Sequence, residues 1–200
     1  MAIRDNNRAV ELSSDGFSRW GRAETLSKMG RFSDALSDYD AALKVAPRVA
    51  FTHFGKANAL WQLGRISEAK ASFDRAVELE PDDVLSLLNR AYFSAKQDRP
   101  MDAISDYSKV LLSTPNNRNA LINRGNAYAQ LGELEQALAD YDAAQRLNSQ
   151  DLGVYRGKGW LYEHKGQFDL ACAAYKEGLR ISPNDAWLSN AVQKPSLQCR

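Results

Sequence analysis

Few residues in this 200-residue chain have the type and spacing to carry chemistry. His53 and His164 are its two histidines. Neither has the HxxxH or CxxC companion that a metal site needs, nor a nucleophile placed for a histidine base. There is no phosphate loop of the GxxxxGK[ST] kind. Gly157-Lys158-Gly159 falls in the middle of a helical pattern, where its glycines permit close packing and do not cradle a phosphate. Cys172 and Cys199 show neither metal spacing nor a disulfide framework. Cys172 is expected as a packed free thiol. Cys199 lies in a polar tail and is expected to cross-link at most adventitiously. No catalytic role, no cofactor and no metal follow from these residues.

One cationic series does recur. Arg22, Lys56, Arg90, Arg124 and Lys158 stand at steps of 34 residues. Such a series would suit a rail for phosphate or for an acidic peptide. A covariation within the chain argues for a structural use. The position sixteen residues further on holds Asp38, Ser72, Asp106, Asp140 and Ala174. Arginine occurs wherever that position is aspartate, and lysine wherever it is not. Only the guanidinium matches a carboxylate with two parallel bonds, so an Arg–Asp fork across a hairpin explains the pattern. By this reading Lys56 and Lys158, lacking that aspartate, are left free to meet a ligand. Nucleic-acid binding rests on the series alone, would fall steeply with salt, and gains nothing from a formal net charge of +1.

The elements that must position these residues are helices. The stretch Leu121 to Leu147 holds two helical patterns around a break at Gly132. Leu121, Gly125 and Tyr128 fall at i, i+4, i+7 in the first, and Ala137, Tyr141 and Ala144 repeat that spacing in the second. Each half buries one stripe, so the pair is a helical hairpin that needs neighbours. The neighbours follow at the same 34-residue step: Gly30, Gly64, Asp98, Gly132 and Gly166 at the turns. Ala35, Ala69, Ala103, Ala137 and Ala171 keep the phase, as do Tyr39, Phe73, Tyr107, Tyr141 and Tyr175. Pro47, Pro81, Pro115 and Pro183 close the repeats, with Ser149 in the remaining slot. The alanines are small because the helices of a hairpin cross there, as Ala23, Ala57, Ala91, Gly125 and Gly159 are on the first helices.

This period with its small, aromatic and proline landmarks resembles the tetratricopeptide repeat (TPR) family, over about Gly16 to Asp185. The resemblance implies an all-α fold, a right-handed superhelical solenoid of helix-turn-helix hairpins. Five repeats are expected at 16–49, 50–83, 84–117, 118–151 and 152–185. Residues 1–15 match the second half of a repeat and are expected as an orphan second helix. It is either a built-in cap or the edge of a longer array, and the apolar Ile3, Val10 and Leu12 favour the second. Pro100 is expected in the first turn of its helix. Asn184 or Asp185 would cap a last short helix over 186–193 that covers repeat five, and 194–200 reads as a frayed, flexible tail. No apolar run of about 18 residues is present to span a membrane. MAIRDNNRAV lacks the apolar stretch of a signal peptide, so a cytoplasmic location is expected.

In the family the first helices line a concave surface, and by phase the resemblance points to the residues that would face it. Two groups stand out. Trp20, Phe51, Phe54, Trp61 and Tyr92 form an aromatic set larger than a monomer surface ordinarily carries, unless several pack between adjacent helices. Asn58, Asn89, Asn123 and Asn126 offer amides that can hold a peptide backbone whatever its sequence. Leu88 and Trp160 complete the expected peptide-binding residues, beside Phe17, Glu24, Arg156 and Glu163. The family's carboxylate clamp for chaperone tails needs Lys-x-x-x-Asn, then Asn, then Lys-x-x-x-Arg. Here those slots read Phe54 and Asn58, Asn89, then Asn119 and Asn123, so all three cations are missing and that specificity is not expected. The expected function is a non-catalytic scaffold binding a partner's peptide or helix in the groove. The alternative is self-assembly, end to end, through 2–14 and 186–193. Neither a nucleic-acid nor a membrane partner is expected.

Overall fold

The computed structural model describes residues 2–13, 15–197 and 199, without the side chain of Ala2. Met1 and Ser14 of the expected first helix, and Gln198 and Arg200 of the expected tail, lie outside the described residues. Twelve α-helices account for the regular structure among the described residues. They are α1 (Ala2–Leu12), α2 (Gly16–Lys28), α3 (Phe32–Val45), α4 (Ala50–Gln62), α5 (Ile66–Leu79) and α6 (Val84–Lys96). They continue with α7 (Pro100–Ser113), α8 (Arg118–Gln130), α9 (Leu134–Leu147), α10 (Leu152–His164), α11 (Phe168–Ile181) and α12 (Ala186–Val192). The chain divides into two compact units, residues 1–90 and 91–200, and α6 contributes to both.

The first unit holds the hairpins α2–α3 and α4–α5, with α1 against α2. Ile3 packs onto the cluster of Ala23, Leu26, Ala35 and Tyr39, and Asn6 donates to the Gly21 carbonyl at 3.1 Å. The exposed side of α1 is therefore charged, with Arg4, Asp5, Arg8 and Glu11, and Leu12 is its exposed large apolar residue. In the second unit α8–α9 and α10–α11 are hairpins, α7 packs on α8, and α12 covers α11.

The turns explain the period. Helix α2 ends where the Arg31 N–H reaches the Leu26 carbonyl at 2.9 Å and the Gly30 N–H reaches Ser27 at 3.0 Å. That closure needs a left-handed residue. Gly30, Gly64, Gly132 and Gly166 supply it at φ between 70° and 76°, and Asp98 takes the same role at φ 55°. Pro100 opens α7, where a missing N–H costs little. Asp15, Asp83, Asn117, Asp151 and Asp185 each accept a backbone N–H at the start of a first helix or of α12.

The repeated alanines Ala35, Ala69, Ala103, Ala137 and Ala171 are fully buried at the helix crossings. Their partners are small for a measurable reason: a Cβ on Gly125 would stand 2.9 Å from the Tyr141 ring, and one on Gly159 2.0 Å from Tyr175. Tyr39 and Tyr141 also support the following hairpin. A Cβ on Gly55 would meet Tyr39 at 2.7 Å, and one on Gly157 would meet Tyr141 at 2.5 Å.

One expectation about the C-terminal region is corrected. Cys172 and Cys199 are joined in a disulfide, with Cα atoms 5.4 Å apart, so neither is a free thiol. Within the expected tail Leu197 is only 4 % exposed, in the cluster of Ala171, Tyr175, Leu188 and Ala191, whereas Lys194, Pro195 and Ser196 are exposed. The chain turns back after α12 and brings the two sulfurs together, which no short cysteine spacing could signal.

Candidate functional site

Packing accounts for most buried residues, so the candidate site is what the first helices leave exposed. In the first unit α2 and α4 lie side by side and stack three rings. Phe17 and Trp20 have centroids 5.2 Å apart, and Trp20 meets Phe51 edge-on at 4.8 Å. Phe17 is 69 % exposed and Phe51 45 % exposed, whereas Trp20 between them is half-buried. The Trp20 indole N–H is buried without an acceptor among the described residues. Phe54 turns the other way and packs on the buried Phe73 at 6.2 Å, and Trp61 is half-buried. Three of the expected aromatics thus differ: Phe51 is exposed, Trp20 is half-buried beside it, and Phe54 packs inward.

The amides behave differently from one another. Asn58 donates to the Phe54 carbonyl at 3.3 Å and Asn89 to Leu85 at 2.8 Å, each one turn back in its own helix. Their donors are partly used within the helix, leaving the amide oxygens as acceptors. Leu85 is exposed beside Asn89, and Leu88 is half-buried.

In the second unit Tyr92 is exposed, with the Lys96 ammonium 5.3 Å from its ring centroid. The exposed Asn126 accepts the Tyr141 hydroxyl at 2.7 Å, which leaves its two N–H donors outward. The half-buried Asn123 lies beside the Tyr107 hydroxyl, which among the described residues makes no hydrogen bond of good geometry. Trp160 stacks on His164 at 3.6 Å, and the His164 ring also bonds the Trp160 carbonyl at 2.9 Å. A cleft of about 500 Å³ runs between α8, α10 and α12, lined by Asn126, Gln130, Tyr141, Arg156, Trp160 and Trp187. Arg156 forks between Asp185 and the face of Trp187, 5.8 Å from the ring. The Leu188 N–H that Asp185 caps, together with Arg156, holds the Asp185 carboxyl below the usual carboxylate range.

Trp187, 44 % exposed, was not among the expected residues. The signal was present: 187 continues the 34-residue step from Phe17, Phe51 and Leu85 one repeat beyond the fifth.

Tyrosines stand beneath this surface. Tyr39 donates to Glu24 at 2.6 Å, the equivalent of the Tyr141–Asn126 bond, and Tyr175 donates to Glu163 at 3.0 Å, three residues further along its first helix. Burial pushes the hydroxyls of Tyr39, Tyr107, Tyr141 and Tyr175 well above the ordinary phenol value.

The cationic series is structural. Arg22 forks onto Asp38 at 2.6 and 2.7 Å, and Arg124 onto Asp140 at 2.8 and 2.7 Å. The expectation that Lys56 and Lys158 are free is wrong. Lys56 pairs with Asp40 at 2.7 Å and Lys158 with Asp142 at 2.5 Å, each sixteen residues earlier on the preceding second helix. Arg90 reaches Asp74 in the same backward sense at 3.2 Å, and Arg124 reaches Ser108 at 3.0 Å. Cations at this slot thus bridge the helices of their own hairpin, as Arg22 does, or successive hairpins, as Lys56 and Lys158 do, and Arg124 does both.

Family models described as tetratricopeptide repeat match residues 21–84, 54–115, 119–151 and 153–185. No curated protein matches the chain. Among solved structures it is similar to YrrB, described as a TPR protein with an unusual peptide-binding site: 21 % identity, TM-score 0.81, covering 95 % of this chain and 98 % of that one. A tetratricopeptide repeat protein from Parabacteroides merdae is 20 % identical with TM-score 0.81, over 94 % of this chain and 71 % of that one. A fragment of MamA from Desulfovibrio magneticus is 16 % identical with TM-score 0.79, over 86 % and 97 %.

Proposed function

This chain belongs to the tetratricopeptide repeat family, and on that premise we propose that it is a non-catalytic interaction scaffold holding a partner's peptide or helix on its first helices. The observation that carries the reading is the Phe17–Trp20–Phe51 stack. Its two outer rings, Phe17 and Phe51, are exposed on either side of the half-buried Trp20. An aromatic anchor that is already rigid loses little freedom when a ligand covers it. Asn58 and Asn89 in the first unit, and Asn126 in the second, supply acceptors and donors that suit a backbone. The fold likeness to YrrB, a protein whose description names a peptide-binding site, supports the same class of partner.

The test is a random-peptide selection on the full chain, followed by competition between the selected ligands and the Phe51→Ser variant. Selected peptides should carry apolar anchors and lose affinity for the variant. Selection of no peptide above background would remove the reading. Self-assembly through 2–14 and 186–193 has weaker support, because α1 presents a charged side and the tail lies against α11 beside α12. Ser14 of that first end lies outside the described residues. Sedimentation at several concentrations separates the two readings.

A further inference from the structure

We propose that the Cys172–Cys199 disulfide is a thiol-responsive latch that holds the C-terminal tail against α11, and that its reduction releases the tail. The sequence separation is 27 residues, so the bond closes a loop containing the end of α11, all of α12 and the tail. The tail itself has little internal structure to keep it in place. One turn is formed, with the Leu197 N–H donating to the Lys194 carbonyl at 3.0 Å. Beyond the disulfide, two attachments are seen among its described residues. Leu197 enters the apolar cluster of α11 and α12, and the Lys194 ammonium donates to both oxygens of Glu163 at 2.9 Å. A single buried leucine and a partly exposed ion pair hold a short segment weakly. The covalent bond is the attachment whose loss decides whether the tail stays.

The geometry gives a reductant access. A cleft of about 1040 Å³ opens between α11 and the tail, lined by Phe168, Leu170, Cys172, Lys176, Leu197 and Cys199. Cys172 is buried, whereas Cys199 is partly exposed. A low-molecular-weight thiolate therefore attacks the Cys199 sulfur. It forms a mixed disulfide there, and Cys172 leaves as a thiolate that takes up a proton. A second thiolate attacks the reductant's sulfur in that mixed disulfide and releases Cys199, which is protonated in turn. Two electrons and two protons pass to the protein, and the reductant leaves as its own disulfide. Once released, the tail uncovers Cys172 and withdraws Lys194 from Glu163, whose other partner is the Tyr175 hydroxyl at 3.0 Å. Glu163 lies on the fifth first helix, so a partner's cationic group could then be met there. That consequence rests on the binding reading; the latch does not.

The experiment follows amide exchange at Leu197 in the full chain, equilibrated with oxidised or reduced glutathione, alongside maleimide labelling of thiols. The Cys199→Ser variant is the second arm. The oxidised chain should take no label and protect the Leu197 amide. Reduction, or Cys199→Ser, should speed exchange there at least tenfold while α10 and α11 keep their protection. Unchanged exchange at Leu197 in both the reduced chain and the variant would overturn the proposal, since the tail would then hold without the bond. So would two labelled thiols in oxidised glutathione, or loss of protection throughout α10 and α11, which would make the bond a staple of the whole end. None of these readouts depends on peptide binding, so failure of the latch and failure of the scaffold reading are separable.

Discussion

A residue's type at one repeat slot is decided by what stands sixteen positions to either side of it. Arginine is used at Arg22 and Arg124 because Asp38 and Asp140 are buried and each needs two donors. Arg124→Lys keeps the charge and loses the fork, and should lower stability by about 2 kcal/mol. Lys56→Ala breaks an ion pair whose carboxylate is half in solvent, and should cost less than about 1 kcal/mol. Urea unfolding of both variants checks the contrast; equal losses would contradict it. The forward pairing was legible because arginine and aspartate covary within the chain. The backward pairing of Lys56 and Lys158 leaves no such trace, because Asp40 and Asp142 belong to the preceding hairpin and stand two residues beyond the slot that covaries. The tyrosines set an alkaline limit. Their hydroxyls are raised in the folded state, so their stabilising protonation is complete below the unfolded phenol value of about 10 and is lost as pH rises beyond it. The Tm should stay level from neutral pH to about 9 and fall above about 10, as a melting series in alkaline buffers would show.

The helices begin and end where turn chemistry dictates, and one turn is unlike the rest. Asp98 adopts the left-handed conformation that glycine takes at the four other hairpin turns. A side chain there costs energy that glycine avoids. Asp98→Gly should therefore raise stability by about 1 kcal/mol and the Tm by roughly 2–4 °C, measured by thermal melting. An unchanged or lowered Tm would mean that the Asp98 side chain contributes what the backbone loses. The hairpins were legible because the 34-residue step fixes turn, crossing and aromatic in one register. The tail was not. Its packing depends on one leucine and one distant cysteine, neither of which has a periodic neighbour to announce it. Trp187 lies between these cases: it keeps the step, but it sits outside the span in which the proline and alanine landmarks recur.

At the scale of the molecule, repetition makes the fold readable and leaves the function in the exceptions. The recurring positions are occupied by packing, while Phe17, Trp20, Phe51, Tyr92, Asn126, Arg156 and Trp187 differ from repeat to repeat and reach the surface to different extents. Family phase locates a first-helix face but does not say which way a ring turns there. Phe54 shows this: it occupies an expected groove slot and yet packs on Phe73. Among the described residues no helix is long and apolar enough to cross a membrane. On the proposed function the exposed aromatic set is a binding surface and not part of the packing of the fold. The most direct test is the affinity of a selected peptide for the wild-type chain and for the Phe17→Ser/Phe51→Ser variant, measured by fluorescence anisotropy with the Tm of each. Because both rings are exposed and neither belongs to the buried core, binding should weaken at least tenfold while the Tm moves by no more than a few degrees. Equal affinity for the two chains would contradict the account, and would return these rings to the surface as bystanders.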